Sequence, residues 1–308
     1  MIHEYALEPE LVATWGNRQV ARYFVESFGL GQPRIVSRYP KRWTSLVWQA
    51  FRSDNDVQKT RLTELLALLS ERMVRRRNYA WKPESTWLEN AQTEHVRVPF
   101  RAILARANPT GHPGTMTADD VNDSTPLWAA PRGVAIARSA SQMAATVAAM
   151  LRIAEIIIFV DPYFKPGELK NRGPLAAFLY AVLDSRPLDR PSRVEVHTSL
   201  KYEKAPSVGF FRSECQKRLP SCIPKGIRLA ILVLRQRAGG EHLHNRYILT
   251  DVGGVVFGAG LDDGTEGETD DVTLMDRAQY ERRWSQHSTD VTASFEVEDV
   301  PVEIQSND

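Results

Sequence analysis

An α/β fold is what the sequence predicts: a mostly parallel mixed sheet flanked by helices, preceded by an N-terminal all-helical subdomain. Three observations predict it. From Ser139 onward, helical and extended patterns alternate along the chain. Within that region Ile156-Ile157-Ile158-Phe159-Val160 is an unbroken apolar run, as expected of a strand covered on both faces. Before it, apolar residues recur near a 3.6-residue period and strand-type alternation is absent.

The N-terminal part reads as helices in sequence. Leu11, Val12, Trp15, Val20, Tyr23, Phe24 and Phe28 mark one helix over Glu10 to Phe28, stopped by Gly29. Trp43, Leu46, Val47, Ala50 and Phe51 mark a second after Pro40. Leu62, Leu65, Leu66, Leu69 and Met73 mark a third from about Val57 to Arg77. One or two further helical segments over Trp87 to Asn108 are interrupted at Pro99. The helical subdomain is therefore placed at residues 1–107. Residues 108–132 carry Pro109, Gly111, Pro113, Gly114, Asp119, Asp120, Pro126 and Pro131, a linker or loop composition.

Residues 133–308 form the predicted α/β domain. A helix over Ser139 to Ala154 is capped by Ser139 or Ser141. The Ile156 to Val160 strand follows, then a helix over Leu175 to Leu183 and a strand over Val194 to Thr198. Next come a helix over Val208 to Leu219, a strand over Ile227 to Leu234, and a strand carrying His244. Gly253-Gly254 is read as a hairpin turn into Val255 to Phe257. A helix over Asp276 to His287 and an edge strand near Phe295 to Glu298 close the chain.

The chain has 308 residues, 43% of them hydrophobic, enough for a buried core, and no apolar run approaches the ~20 residues that span a bilayer. No basic and apolar leader opens it, and Cys215 and Cys222 read as reduced thiols, so a cytoplasmic protein is expected. The net charge of +1 hides an asymmetry. Residues 262–308 hold 3 Lys/Arg against 14 Asp/Glu, so the preceding body is strongly basic. A basic body suits a polyanionic partner, and an acidic tail can shield that surface or keep the chain soluble.

Two basic clusters interleaved with aromatics are candidate nucleic-acid contacts. One is Arg72, Arg75, Arg76 and Arg77 beside Tyr79 and Trp81. The other is Arg34, Arg38, Lys41 and Arg42 around Tyr39 and Trp43. Cations ending a helix also complement its dipole, so a structural role competes with binding.

The chemistry concentrates at His242-Leu243-His244-Asn245-Arg246-Tyr247 through Asp251. On a strand, His244 and Arg246 share a face, bringing an imidazole beside a guanidinium able to clamp an anion. His242 lies one pleat further on that face. Asp251, at the strand's end, is expected to turn back toward a ring nitrogen. Asp161, Glu168, Asp262 and Asp263 offer carboxylates for a metal site, but their spacing is not diagnostic.

His244-x-Arg246-x4-Asp251 resembles the HxK(x)4D signature of the phospholipase D superfamily, with Arg in place of Lys. The resemblance spans roughly residues 156–284 and includes Asp161-Pro162-Tyr163 at a strand end. It implies a phosphodiesterase that needs neither metal nor other cofactor. One histidine attacks phosphorus to form a phosphohistidine, a second protonates the leaving oxygen, and water releases the product. His244 would then be catalytic, Arg246 the phosphate clamp and Asp251 part of the supporting polar network, with Gly258 on the substrate side; Arg75, Arg76 and Arg77 lie outside the resemblance and are substrate-binding candidates by their basic cluster alone. The GSxN that commonly follows in the family stands here as Gly258-Ala259-Gly260-Leu261, without its hydroxyl and amide.

Two motifs must face each other for this chemistry and one is visible. A homodimer with two His244 side chains, or a second imidazole from His242 or His197, completes the set. The expectation is a nuclease, a partner for nucleic acid, with the helical part free to bind a regulatory protein. By analogy alone, such an enzyme suits bacterial defence. The alternative is a catalytically inactive module that binds a protein or an anionic partner.

Overall fold

The computed structural model describes residues 1–16, 18–71, 73–202, 205–288 and 294–306, which fall into two compact units. The first comprises Met1–Arg132 with Ser185–Asp189, the second Gly133–Asp184 with Arg190–Asp308. The segment 108–132, expected as a linker, belongs to the first unit. It contributes a short strand and Trp128, which is 1% exposed and packs on the core ring of Tyr5.

The first unit is not all-helical. Its elements run β1 (His3–Leu7), α1 (Pro9–Ala13), α2 (Arg18–Ser27), β2 (Arg34–Ser37), α3 (Trp43–Ala50), α4 (Asp56–Ser70), β3 (Met73–Val74), α5 (Trp87–Arg97), β4 (Ala102–Leu104) and β5 (Thr115–Met116). The strands form one sheet in the order β3-β2-β1-β4-β5, every neighbouring pair parallel. They escape a search for alternation because they are two to five residues long and almost entirely buried. The helix expected over Glu10 to Phe28 is split into α1, a 3-10 turn over Thr14–Gly16, and α2. A Cβ on Gly16 would lie 3.1 Å from that of Gln58, so this turn presses close on α4. Asn17, between the halves, lies outside the described residues. The third helix ends at Ser70, and Met73–Val74 is a strand.

Capping fits the sequence where the helices do form. Thr86 and Glu89 make a reciprocal capping box at α5, and Asn55 accepts the N–H groups of Val57 and Gln58 at α4. α4 buries Leu62, Leu65, Leu66 and Leu69 against Trp15, Trp43 and Leu7.

The second unit contains β6 (Gly133–Ala137), α6 (Ala140–Leu151), β7 (Ile156–Val160), α7 (Leu169–Leu183), β8 (Arg193–Thr198), α8 (Val208–Arg218), β9 (Arg228–Gln236), β10 (Arg246–Thr250), β11 (Gly253–Phe257), β12 (Thr269–Leu274), α9 (Arg277–His287), β13 (Phe295–Val297) and β14 (Val302–Gln305). Its sheet runs β13-β9-β8-β7-β10-β11-β12-β6, with β14 also on β9. Only β7, β8 and β9 are mutually parallel; every other pairing is antiparallel. The sheet is therefore mixed rather than mostly parallel. Thr250 pairs with Gly253, so the hairpin turns at Asp251-Val252 and both glycines lie inside β11. The need for glycine there is packing: a Cβ on Gly254 would lie 2.9 Å from Leu249 Cδ2 and 3.0 Å from Met275 Sδ.

Both cysteines are free, and burial pushes the Cys215 thiol up to about 12. No helix among the described residues is long and apolar enough to cross a membrane.

Candidate active site

The parallel strands β7, β8 and β9 all end at one edge of the second unit's sheet. β10, antiparallel to β7, begins there, so the residues before Arg246 meet those after Val160, Thr198 and Leu234. A cleft of about 750 Å³ opens at this edge. Pro162 and Tyr163 line it from β7, Ser199, Lys201 and Tyr202 from β8, Arg235 and Gln236 from β9, and His242, Leu243 and His244 from the approach to β10. This is where an open α/β sheet gathers side chains from several strands without disturbing its ladder.

His244 and His242 are both exposed and lie in the irregular segment just before β10, not on the strand itself. The reason lies in the pairing: β10 is held by β7 only from Tyr247 onward, and β7 stops at Val160. Arg246 is the first strand residue and half-buried, its guanidinium 4.9 Å from the centre of the Tyr163 ring. Such a cation over an aromatic face keeps its donors free for an anion.

Register fixes which side chains share a face. Phe159 pairs with Ile248 and with Val196, while Val160 pairs with Tyr247 and with His197. Arg246 and Asp161 continue the first of these faces. Asp161 is 4% exposed, and its Oδ1 accepts the Tyr163 N–H at 3.0 Å. Burial pushes its carboxyl up to about 6, a rise the Tyr163 hydrogen bond opposes, Asp262 reinforces, and Arg246 and Arg138 oppose. Asp161 therefore takes or releases a proton near neutrality, a property that marks candidate sites. Nothing local in the sequence signals this titration, because Arg138, Arg246 and Asp262 are remote from Asp161 in the chain.

Of the four candidate metal carboxylates, Asp262, Glu168 and Asp263 are engaged within the protein. Asp262 pairs with Arg138 and with Lys170 at 3.5 Å. Glu168 pairs with Lys165 at 3.1 Å and Lys170 at 3.5 Å. Asp263 Oδ1 accepts the Ala140 N–H at 2.5 Å. Among the described residues no group of three His, Cys, Asp or Glu side chains stands close enough to share an ion.

Asp251 does not turn back toward an imidazole. It lies beyond the far end of β10, about 17 Å of extended chain from Arg246. There its Oδ1 accepts the N–H groups of Glu155 at 2.8 Å and Ile156 at 3.0 Å, fixing the start of β7. Its part in the arrangement is positional.

His197 is withdrawn from the cleft. It is 3% exposed, its Nε2 is 2.8 Å from Glu195 Oε2, and its Nδ1 is 3.0 Å from Nδ1 of buried His287. One ring must donate and the other accept, so both cannot be charged. Burial, helped by His197, holds His287 well below the usual histidine range. Burial would raise Glu195, but hydrogen bonds from His197 and Arg193 outweigh it and hold the carboxyl low.

The remaining expected positions scatter. Arg76 is 4% exposed and committed inside the first unit. It bonds Glu4 Oε1 and Oε2 at 2.9 Å each, Glu94 Oε1 at 2.8 Å and the Val98 carbonyl at 2.7 Å, over the Phe100 ring at 3.6 Å. It cannot reach a nucleic acid. Arg75 and Arg77 are exposed; Arg72 lies outside the described residues. Arg34 is buried against Trp128, and Tyr39 and Trp43 are core residues, which leaves Arg38, Lys41 and Arg42 of that cluster on the surface. Gly258 is exposed at the end of β11, where a Cβ would lie 3.1 Å from Asp270 Oδ1. Leu261 is buried.

The acidic tail folds onto the basic body. Glu296 pairs with Arg235, and with Arg237 at 3.6 Å; Glu298 lies 3.9 Å from Lys201. Two cations of the cleft wall thus carry carboxylate neighbours.

No family model, curated protein or solved structure matches this chain.

Proposed function

We propose that the second unit is a metal-independent phosphodiesterase of the phospholipase D type, acting on nucleic acid as a nuclease. The observation that carries this reading is one cleft lined by His242, His244 and Lys201, with Arg246 and Tyr163 stacked at its edge. A neutral His244 imidazole attacks phosphorus, forming an N–P bond while the P–O bond to the leaving group breaks. A second, protonated imidazole gives its proton to that oxygen and then, as a base, takes one from the water that cleaves the N–P bond. Arg246 and Lys201 bear on the charge that builds on the non-bridging oxygens.

The second imidazole has two sources: His242, or His244 of another copy of the chain. His242 is favoured because it lines the same cleft. Nucleic acid is preferred over a lipid diester because of the basic body and the aromatics Tyr163 and Tyr202 at the site.

Hydrolysis of bis-p-nitrophenyl phosphate and of single- and double-stranded DNA and RNA, with EDTA present, tests this. Turnover should persist in EDTA and fall by about a thousandfold or more in His244→Ala. His242→Ala should fall similarly; if it is active and turnover follows dimer concentration, the acid comes from the second copy. Turnover that EDTA abolishes, or that survives in His244→Ala, refutes the mechanism. One feature favours a non-catalytic binding module instead: Ala259 and buried Leu261 supply neither hydroxyl nor amide to the cleft. Tight DNA binding with no turnover in either protein selects that reading.

A further inference from the structure

The first unit has a second cleft, of about 870 Å³, that the hydrolytic reading does not use. Its position follows from topology. From β1 the chain builds outward through β2 and β3, then crosses back to place β4 and β5 on the other side of β1. Strand order therefore reverses between β1 and β4. In open parallel sheets the crevice outside the carboxyl ends at such a reversal is where ligands bind. The cleft opens there. Glu10 comes from just beyond β1, Arg42 from beyond β2, Trp81 from beyond β3 and Arg106 from beyond β4, with Arg52 and Trp87 completing the wall.

The chemistry of that wall is specific. Arg42 is exposed, its guanidinium carbon 5.9 Å from the centre of the Trp81 ring. Arg106 is anchored on Glu8 Oε2, which accepts its backbone N–H at 2.6 Å and its Nε–H at 3.3 Å, while the rest of the guanidinium is exposed in the cleft wall. Arg52 is held over the end of α3 by the Gln49 carbonyl. Glu10 Oε2 is closed to solvent yet has no hydrogen-bond partner among the described residues, an acceptor waiting for a donor. Three guanidiniums call for an anion, an indole face for a flat ring, and a lone carboxylate oxygen for a hydroxyl or amine.

We infer that this cleft binds a nucleotide, its base on Trp81, its phosphate on Arg42 and Arg106 with Arg52 nearby, and a sugar hydroxyl or base amine on Glu10. The volume suits one such ligand, since small-molecule sites run to about 300–1,000 Å³. The site belongs to the first unit alone and stands whether or not the second unit hydrolyses anything. The nucleotide is either free or the 5′-phosphorylated end of a strand.

Calorimetric titration of the full chain with adenosine monophosphate, uridine monophosphate, adenosine and inorganic phosphate tests the inference, with tryptophan fluorescence read in parallel. At least one monophosphate should bind about tenfold or more tighter than adenosine or phosphate alone, because two charge-assisted contacts add to stacking. Arg42→Ala with Arg106→Ala should weaken it about ten- to a hundredfold with an unchanged circular dichroism spectrum. Trp81→Phe should retain most of the binding. A 5′-phosphorylated oligonucleotide that binds tighter than the monophosphate assigns the site to strand ends; a weaker one assigns it to the free nucleotide. No binding at millimolar concentrations, phosphate binding as tightly as the nucleotide, or wild-type affinity in the double variant overturns the inference. So does loss of binding in His244→Ala, which would put the ligand in the other cleft.

Discussion

The two units solve one problem, the placing of a cleft at the carboxyl ends of parallel strands, and two of their buried charges, Arg76 and Asp161, are treated in opposite ways. In the first, the buried ion is paired from every side: Arg76 holds Glu4 and Glu94 at bonding distance and rests on Phe100. In the second, Asp161 is buried with one backbone hydrogen bond, and Arg246 and Arg138 act on it only at longer range. A charge so completely paired makes a rigid frame and is unavailable to a ligand. A carboxyl left short of partners sits poised between protonation states and weakens the fold. The difference separates scaffold from reactive ground more sharply than the presence of charge does.

The largest break in that comparison is Arg76→Ala. It strands Glu4 in the interior without its cation and leaves Glu94 with Arg97 alone, and should cost about 3–5 kcal/mol, read as a fall in unfolding free energy in urea. A loss below about 1 kcal/mol would mean the network is not the frame described. Asp161→Asn should do the reverse. The carboxyl at position 161 is raised to about 6 in the folded state against 3.8 ordinarily. The native protein thus holds a proton that the unfolded chain has released, and its stability falls as pH rises from about 4 through 6. The penalty at pH 8 amounts to at most about 3 kcal/mol. Asp161→Asn should remove it, so the variant gains on the parent at pH 8 and loses that advantage near pH 4. A gain independent of pH would point to packing instead. The smallest effect is Asp251→Ala, which leaves the Glu155 and Ile156 N–H groups without their acceptor. About 1–3 kcal/mol should be lost and largely recovered in Asp251→Asn, whose side-chain carbonyl can still accept.

The second unit was far more legible in the sequence than the first. Ile156 to Val160, Val194 to Thr198 and the cap at Ser139 stand within a residue or so of where the apolar runs and capping residues put them. Its histidine cluster was visible as a motif, because the residues lie within ten positions of one another. Asp161 and Asp262 stood together only as candidate metal carboxylates, and Arg138 joins them through the fold alone. In the first unit the helices were readable and the sheet was not. Strands such as Ala102–Leu104 are too short and too uniformly buried to alternate, and the second cleft is an outcome of strand order, which no local pattern encodes. Arg76 misled for a related reason: four arginines in six positions look like a surface, and one of them points inward to meet Glu4, 72 residues away.

Strand β9 carries a further consequence. Its outer side is occupied twice, by Val302–Gln305 against Arg228–Ile231 and by Phe295–Val297 against Leu234–Gln236. The last stretch of chain therefore acts as a hem on the fabric of the sheet. Cut away before Phe295, the protein would present a nine-residue run of bare amides and carbonyls, an invitation to stick to the next molecule. Tags and fusions placed there are best joined beyond Gln305, so the hem stays sewn.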